Sequence, residues 1–272
     1  WPYTKRMVAN PNVNQGAAVI ITSLAKAQAA GIPDEQLVFF GLGAFANERR
    51  DWLARDHYRH SMAQHVLLET MQAQLRGDNF DALELYSCFP IVPKLAQRTL
   101  NLPPSTKPTV TGGLSFFGAP LNNHMTHAAC AMVRRMREGA SNGLLYGQGE
   151  FVTKHYGLAL SREPAISGDL HDITLDAGVQ QRADLLMGDV RPVDETPEGE
   201  AELETFTVVH DHAGAPTHAV ILARMPGGAR TVARTASMDE IAHLTSSSHY
   251  PVGAKGKIHT GADNLPEWRS HA

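Results

Sequence analysis

The chain has 272 residues, 43% of them hydrophobic and 19% charged, with a net charge of −4. That is an ordinary composition for a soluble globular protein, with room for one large domain or two smaller ones. There is no basic excess to hold a phosphate backbone, which argues against general nucleic-acid binding, and no apolar run reaches the ~20 residues that span a bilayer. The two cysteines, Cys88 and Cys130, do not make a disulfide framework and point to a reducing, cytoplasmic setting. No basic and apolar leader follows Trp1, and Trp1-Pro2-Tyr3-Thr4-Lys5-Arg6 reads as the interior of a processed chain or a fragment.

Residues 17–22 form a short β-branched apolar run between Gly16 and Ser23, which predicts a buried strand. Ser23 suits the N-cap of a helix over 24–30, and Gly31 suits its end. Residues 37–40 predict a second buried strand, with Gly41, Gly43 and a polar loop after it. A helix is expected over 61–75, where Met62, Val66, Thr70 and Met71 share a face. Residues 83–86 predict a short strand, and 91–100 a helix with Ile91, Leu95 and Ala96 inward. The strongest helical pattern covers 122–137, where Met125, Ala128, Ala129, Met132, Val133 and Met136 make one stripe and Gly139 suits the C-terminus. Strands are expected over 144–146 and 151–160, the latter alternating Val152, Lys154, Tyr156 and Leu158 on a half-buried face.

Up to Arg162 strands alternate with helices, the pattern of α/β layering. Beyond Pro164 the texture changes to strand-like runs over 203–209, 218–225 and 230–233, with turns at Ala213-Gly214 and Gly227-Gly228. This predicts a small all-β meander, a boundary near Pro164, and a solvated acidic loop over 194–204.

Four segments carry candidate chemistry. Thr111-Gly112-Gly113-Leu114-Ser115-Phe116-Phe117-Gly118-Ala119-Pro120 combines glycines that let a ligand approach the backbone with a proline suited to the first turn of the next helix, whose free N–H groups can polarise a carbonyl. A plain strand–turn–helix connection would read the same way. Glu84-Leu85-Tyr86-Ser87-Cys88-Phe89-Pro90 places a lone cysteine after a strand, either as a tunable acid/base or as a small buried hydrophobe. Asn142-Gly143-Leu144-Leu145-Tyr146-Gly147-Gln148-Gly149-Glu150 is a second glycine-rich run, and Asn12-Val13-Asn14-Gln15-Gly16-Ala17-Ala18 precedes the first expected strand.

In this order the four segments resemble those of the thiolases. Residues 111–120 resemble the glycine-rich active-site loop that ends in Gly-His-Pro, with Ala119 where the histidine stands. The run 84–90 is similar to the His-Asp-Cys-Phe motif of the sterol-carrier-protein type, with Tyr86 and Ser87 replacing its first two residues. The run 142–150 matches the last glycine-rich loop without its cysteine, and Phe151-Val152-Thr153-Lys154-His155 is similar to a run in acetyl-CoA acetyltransferase-like proteins. Residues 12–18 resemble the start of the last strand of a thiolase N-terminal half.

The resemblance implies the C-terminal half of a layered αβα fold over residues 33–163, with 1–32 ending the N-terminal half. The extra β-domain over 164–272 would resemble an oligonucleotide/oligosaccharide-binding-type barrel. It implies acyl transfer or Claisen-type carbon–carbon chemistry on acyl-CoA, with coenzyme A as a substrate and no covalently bound cofactor. Cys88 would be the general acid/base, and Gly112, Gly113, Phe117, Gly118, Pro120, Gly147 and Gly149 would shape the thioester site. The acylated cysteine would lie in an N-terminal half outside this sequence, on the same polypeptide or another chain, and that half is also where thiolases pair as dimers.

Ala119 can neither activate a nucleophile nor stabilise an oxyanion, so the alternative is a catalytically silent acyl-CoA-binding protein whose β-domain recognises a partner or lipid. His124 and His127 are the candidates to replace the lost histidine, His127 the one shared with relatives; packing histidines would look the same. His57, His60 and His65, and separately His210 and His212, lack the converging ligands of a metal site, and no metal is expected. Phe206, Tyr250 and Trp268 sit among too many acidic residues for a single-strand nucleic-acid groove.

Overall fold

The structure is a computed structural model that describes residues 1–73, 79–164 and 177–271. Two compact units are interleaved along the chain. A sheet unit comprises Lys5–Arg50 and Arg59–Met187, and a barrel unit comprises Trp1–Thr4, Asp51–Tyr58 and Gly188–Ala272.

In the sheet unit, Ser23 accepts a hydrogen bond from the Lys26 N–H and opens α1 (Leu24–Ala29), and Gly31 follows at φ 71°. β1 (Phe39–Asn47), β4 (Lys154–Ser161), β3 (Asn142–Gly149) and β2 (Ala82–Leu85) lie side by side in that order, β2 parallel to β3 and the other pairs antiparallel. The long crossover from β2 to β3 carries α3 (Ile91–Thr99) and α4 (His124–Arg137), as a parallel pair requires. α2 (Met62–Ala73) and α5 (Ala177–Leu186) pack with β1 and with each other. Their core joins Leu67, Leu68 and Met71 to Leu144, Tyr146 and Val179. On α4, Ala128, Met132 and Met136 bury against Leu145 and Leu160. Gly143 makes that approach possible, since a Cβ there would stand 2.6 Å from Met132 Sδ.

Several expectations change. Residues 17–22 pair with no strand, and Ile20 is 97% exposed; the run is apolar but has no hydrogen-bonding neighbour among the described residues. Gly41 and Gly43 lie inside β1 rather than after it, because Gly41 sits so close to β4 that a Cβ would be 3.2 Å from Ala159. β4 begins at Lys154, and its buried side carries His155, Gly157 and Ala159, leaving Tyr156 exposed. The expected end of the helix over 61–75 falls outside the described residues. The two units divide after Met187, downstream of Pro164, because α5 belongs to the sheet unit.

The barrel unit is closed, in the order β5 (Gly199–His210), β6 (Pro216–Arg224), β7 (Arg230–Thr235), β9 (Pro266–Ser270), β8 (Lys255–Thr260). It is more than a meander: α6 (Met238–Thr245) separates β7 from β8, β5 pairs with β8, and β7 meets β9 in parallel. Trp268, Ile221, Leu203 and Ile258 fill the interior. The acidic stretch is not simply a loop. It enters β5, where Glu202 takes Arg224 and Lys255 as partners and Glu204 takes Arg230.

Arg230 is 0% exposed and forms a two-point pair with Glu204, Nε to Oε2 at 2.8 Å and Nη2 to Oε1 at 2.7 Å. Its remaining N–H groups donate to the Leu53, Arg55 and Asp56 carbonyls, and it lies 4.8 Å from the Tyr58 ring centroid. One guanidinium thus ties the 51–58 segment to the barrel. Arg230→Met leaves a carboxylate and three carbonyls without their donor and is expected to cost about 3–5 kcal/mol in denaturant unfolding, with the carboxylate's share of that recovered in Arg230→Met/Glu204→Leu. Wild-type stability in the single variant would show that the clamp holds nothing.

Candidate functional site

Glu84 sits between Leu83 and Leu85 on β2 and is 0% exposed. A bare carboxylate there would be prohibitively costly, so its partners define the local structure. Oε2 accepts the Val110 and Thr111 N–H groups at 3.1 Å, Thr111 Oγ1 lies 3.0 Å from both oxygens, and His124 Nε2 donates to Oε1 at 3.2 Å. One side chain therefore fixes the entry of the 111–120 loop and the first residue of α4.

The loop turns back on itself through Gly112 at φ 92°, Gly113 at φ 89° and Gly118 at φ 104°. A Cβ on Gly113 would be 3.0 Å from Ser87 Oγ, and one on Gly118 would be 2.5 Å from Val13 Cγ1. Its amides are largely spoken for. Gly112 N donates to Thr109 Oγ1, Gly113 N to Thr111 Oγ1, Leu114 N to Ser87 Oγ, and both Phe116 N and Phe117 N to Gly113 O. Ala119 N donates to Asn10 O at 2.8 Å. Pro120 leads into a 3-10 turn over Leu121–Asn123 before α4, not directly into the helix.

The segment before α1 lies along this loop. Ala9 N donates to Cys88 O, Asn10 N to Leu114 O, Ser115 Oγ to Val8 O, and Gln15 Nε2 to Phe117 O. Gln148 on β3 brings in the last of the four segments, its Nε2 lying 3.4 Å from Cys88 Sγ. All four segments singled out in the sequence thus converge. Gly147 faces α4, where a Cβ would be 3.3 Å from Met125 Cγ, and Gly149 pairs with Lys154.

Cys88 is partly buried. Burial pushes its thiol above the ordinary range, against the opposing pull of the Phe89 N–H and Gln148. Burial likewise raises the Tyr86 hydroxyl, with the neighbouring Cys88 adding to it.

The two candidate histidines differ sharply. His127 lies 3.4 Å from Asn123 Nδ2 and meets the Phe117 ring edge-on at 5.3 Å. His124 is 1% exposed, held by Glu84 and set edge-on between Tyr86 at 5.6 Å and Phe117 at 5.9 Å. The His124–Glu84 pair was not evident in the sequence; the one signal was an acidic residue inside an apolar strand. His155, on the opposite side of the sheet, joins a buried network: its Nδ1 meets Tyr146 OH at 2.8 Å and its Nε2 meets Ser61 Oγ at 3.1 Å, and Ser61 donates to Glu48 at 2.7 Å. Closed in the core, this network braces β3 and β4. Among the described residues no three His, Cys, Asp or Glu side chains gather as for a metal ion, and no helix is long and apolar enough to cross a membrane.

A cleft of about 1220 Å³ opens beside this cluster on the α4 side of the sheet. Val19, Ile20, Leu24, Met125, Leu145 and Leu158 give it apolar walls, and Tyr86, His124, Gln148, Arg137, Glu150 and Lys154 are among its polar lining residues. Cys88, Gly112, Gly113, Phe117 and Gly118 are not among its lining residues.

Residues 183–263 match the family described as the thiolase-like protein type 1 additional C-terminal domain. No curated protein matches the chain. Among solved structures, it is similar to a crystal structure of a monomeric SCP2-thiolase-like protein type 1 from Mycobacterium smegmatis, at 28% identity and a TM-score of 0.82. That match covers 98% of this chain and 57% of the other, so the chain spans little more than half the length of that relative. The fold is thiolase-like, and residues 183–263 are similar to the additional C-terminal domain of the type 1 thiolase-like proteins.

Proposed function

We propose that the protein binds coenzyme A thioesters on its thiolase-like scaffold and that residues 1–272 do not by themselves carry thiolase turnover. The observation that carries this reading is Ala119. The loop keeps the glycines and proline on which its resemblance to the thiolase loop rests, yet the side chain at the histidine's place has no polar atom and the Ala119 N–H is committed to Asn10 O. The loss of one oxyanion donor typically slows acyl transfer by ~10²–10³. The N–H groups of residues 110–114, 116 and 117 are also bonded within the protein, which leaves the loop few amides with which to polarise a carbonyl.

A second reading is acyl transfer of the acetyl-CoA acetyltransferase class, with Cys88 as general acid/base. Its support is the contact of Gln148 with Cys88 where the four segments meet. The acylated cysteine would then come from an N-terminal half outside these residues, which would also be the partner of the exposed apolar run at Ile20 and Ile21 and the route to a homodimer. A cytoplasmic location goes with either reading. The barrel is read as OB-type from its strand order, the helix between its third and fourth strands and its parallel β7–β9 closure. In this family context we assign it to recognition of a protein or lipid partner.

Calorimetry with CoA is expected to show binding, while acetoacetyl-CoA plus CoA shows no thiolysis above the uncatalysed rate. Turnover by this chain would sink the reading, and an absence of binding heat would remove CoA as its ligand. The raised thiol pKa has a sign that can be checked as well. A pKa above the ordinary range lowers the thiolate fraction at pH 7, so Cys88 should alkylate more slowly than a free thiol there. In a Cys130→Ser background, iodoacetamide labelling should keep accelerating as pH rises past the point where a free thiol levels off. A labelling profile that levels off at or below the free-thiol pKa would show a Cys88 tuned for catalysis.

A further inference from the structure

The hairpin that joins β3 to β4 has a backbone its own residues do not favour. Glu150 stands at φ 55° and Val152 at φ 62°, both in the left-handed region. For a β-branched residue such as Val152 that is a genuine outlier, and strain of this kind persists only where the surroundings impose it. The restraints are on view. His155 Nε2 lies 3.1 Å from Val152 O, Thr153 Oγ1 donates to Glu150 Oε2 at 3.1 Å, and Glu48 N donates to Thr153 O at 2.8 Å. Lys154 and Arg50 pair with Glu150 from the solvent side. His155 is itself 0% exposed and fixed, with Tyr146 OH 2.8 Å from its Nδ1 and Ser61 Oγ 3.1 Å from its Nε2. The strained turn is thus moored from beneath to an imidazole that cannot drift.

What the turn holds in place is Gln148. Gln148 and His155 stand directly opposite each other on the β3–β4 ladder, so their side chains leave the sheet on one face, together with Tyr146 two residues earlier. Cys88 packs against the core cluster that contains Tyr146, and Gln148 Nε2 reaches its Sγ at 3.4 Å. That donor opposes the upward push of burial on the thiol. One ladder step separates Gln148 from His155, and one residue, Gly149, separates it from the left-handed Glu150. We propose that His155 is a positioning residue for Cys88: by holding Val152 in its left-handed conformation, it fixes the hairpin that delivers Gln148 to the thiol. This inference rests on the reading of Cys88 as the working thiol given above. It assigns a task to the 151–155 run, which acts through Gln148 and touches no reacting atom.

The test is a pH titration of the full natural polypeptide carrying cysteine labelled with 13C at Cβ, the Cys88 signal being identified by its loss in Cys88→Ser. The midpoint so read does not depend on reagent access. Gln148→Leu removes the donor and should raise the midpoint, so that the thiolate fraction at a fixed pH below it falls about threefold or more. His155→Asn keeps a polar group near the place of Nδ1 but none at the place of Nε2. It should raise the midpoint as well, with no further rise when combined with Gln148→Leu. His155→Gln sets an amide nitrogen near the place of Nε2 and should keep the wild-type midpoint. A role confined to filling the core would treat Asn and Gln alike. Should His155→Asn not fold, Thr153→Val cuts the bond to Glu150 at unchanged shape and charge. It should then raise the midpoint by a smaller factor, and only while Gln148 is present. A midpoint unmoved or lowered in His155→Asn (or, in its place, in Thr153→Val), or moved equally by His155→Asn and His155→Gln, overturns the proposal and leaves the Gln148–Cys88 contact standing. If Gln148→Leu itself moves nothing, the contact has no hold on the thiol, and the acyl-transfer reading loses its support together with this inference. The wild-type and Gln148→Leu titrations show that before any His155 variant is measured.

Discussion

The sheet unit is organised around a single buried carboxylate. Glu84 has no solvent to share its charge with, and four donor groups from two other segments converge on it. Those donors are the reason the 111–120 loop begins where it does and the reason α4 starts with an imidazole pointing inward. Low-dielectric surroundings make such a network rigid when complete and costly when broken. The position of Ser87 against Leu114 and Gly113, and so of Cys88 behind it, follows from the same anchored loop.

Helix periodicity made α4 legible: Ala128, Met132 and Met136 repeat at a spacing that needs no knowledge of the partner surface. The same was true of Ser23 and Gly31 at the ends of α1, where the signal is local chemistry. What escaped depends on distant partners. The apolar residues 17–22 look like a strand because β-branched runs usually are strands, but a strand exists only where another edge receives it. β8 and β9 were missed because Lys255, Gly256 and Lys257 break the apolar alternation. Gly256 is there because Trp268 lies against its backbone, where a Cβ would be 2.5 Å from the ring. No periodicity records that contact.

The candidate site divides in the same way. Glycines and prolines in an ordered series marked the loops, and the structure brings those loops together through main-chain bonds from residues 9–10 to Cys88, Leu114 and Ala119. Which side chains face the cleft was not legible. Phe117 accepts a hydrogen bond from Gln15, Gly118 lies close against Val13, and both lie outside it, whereas Gln148 and His124 line it. His127 follows the periodicity of α4 as well as His124 does, and only the carboxylate on the neighbouring strand separates their roles.

The clamp on Arg230 bears on how the chain is made. Residues 51–58 lie between β1 and α2 and are made well before β7, which carries the guanidinium that gathers their carbonyls. Until that strand appears, Leu53, Arg55 and Asp56 offer carbonyls that only water can satisfy. The flanking β1 and α2 take their contacts from the sheet unit. The segment is therefore a splice left open until β7 is made, and a piece of the barrel unit waits for the rest of its own unit while the chain between them is translated.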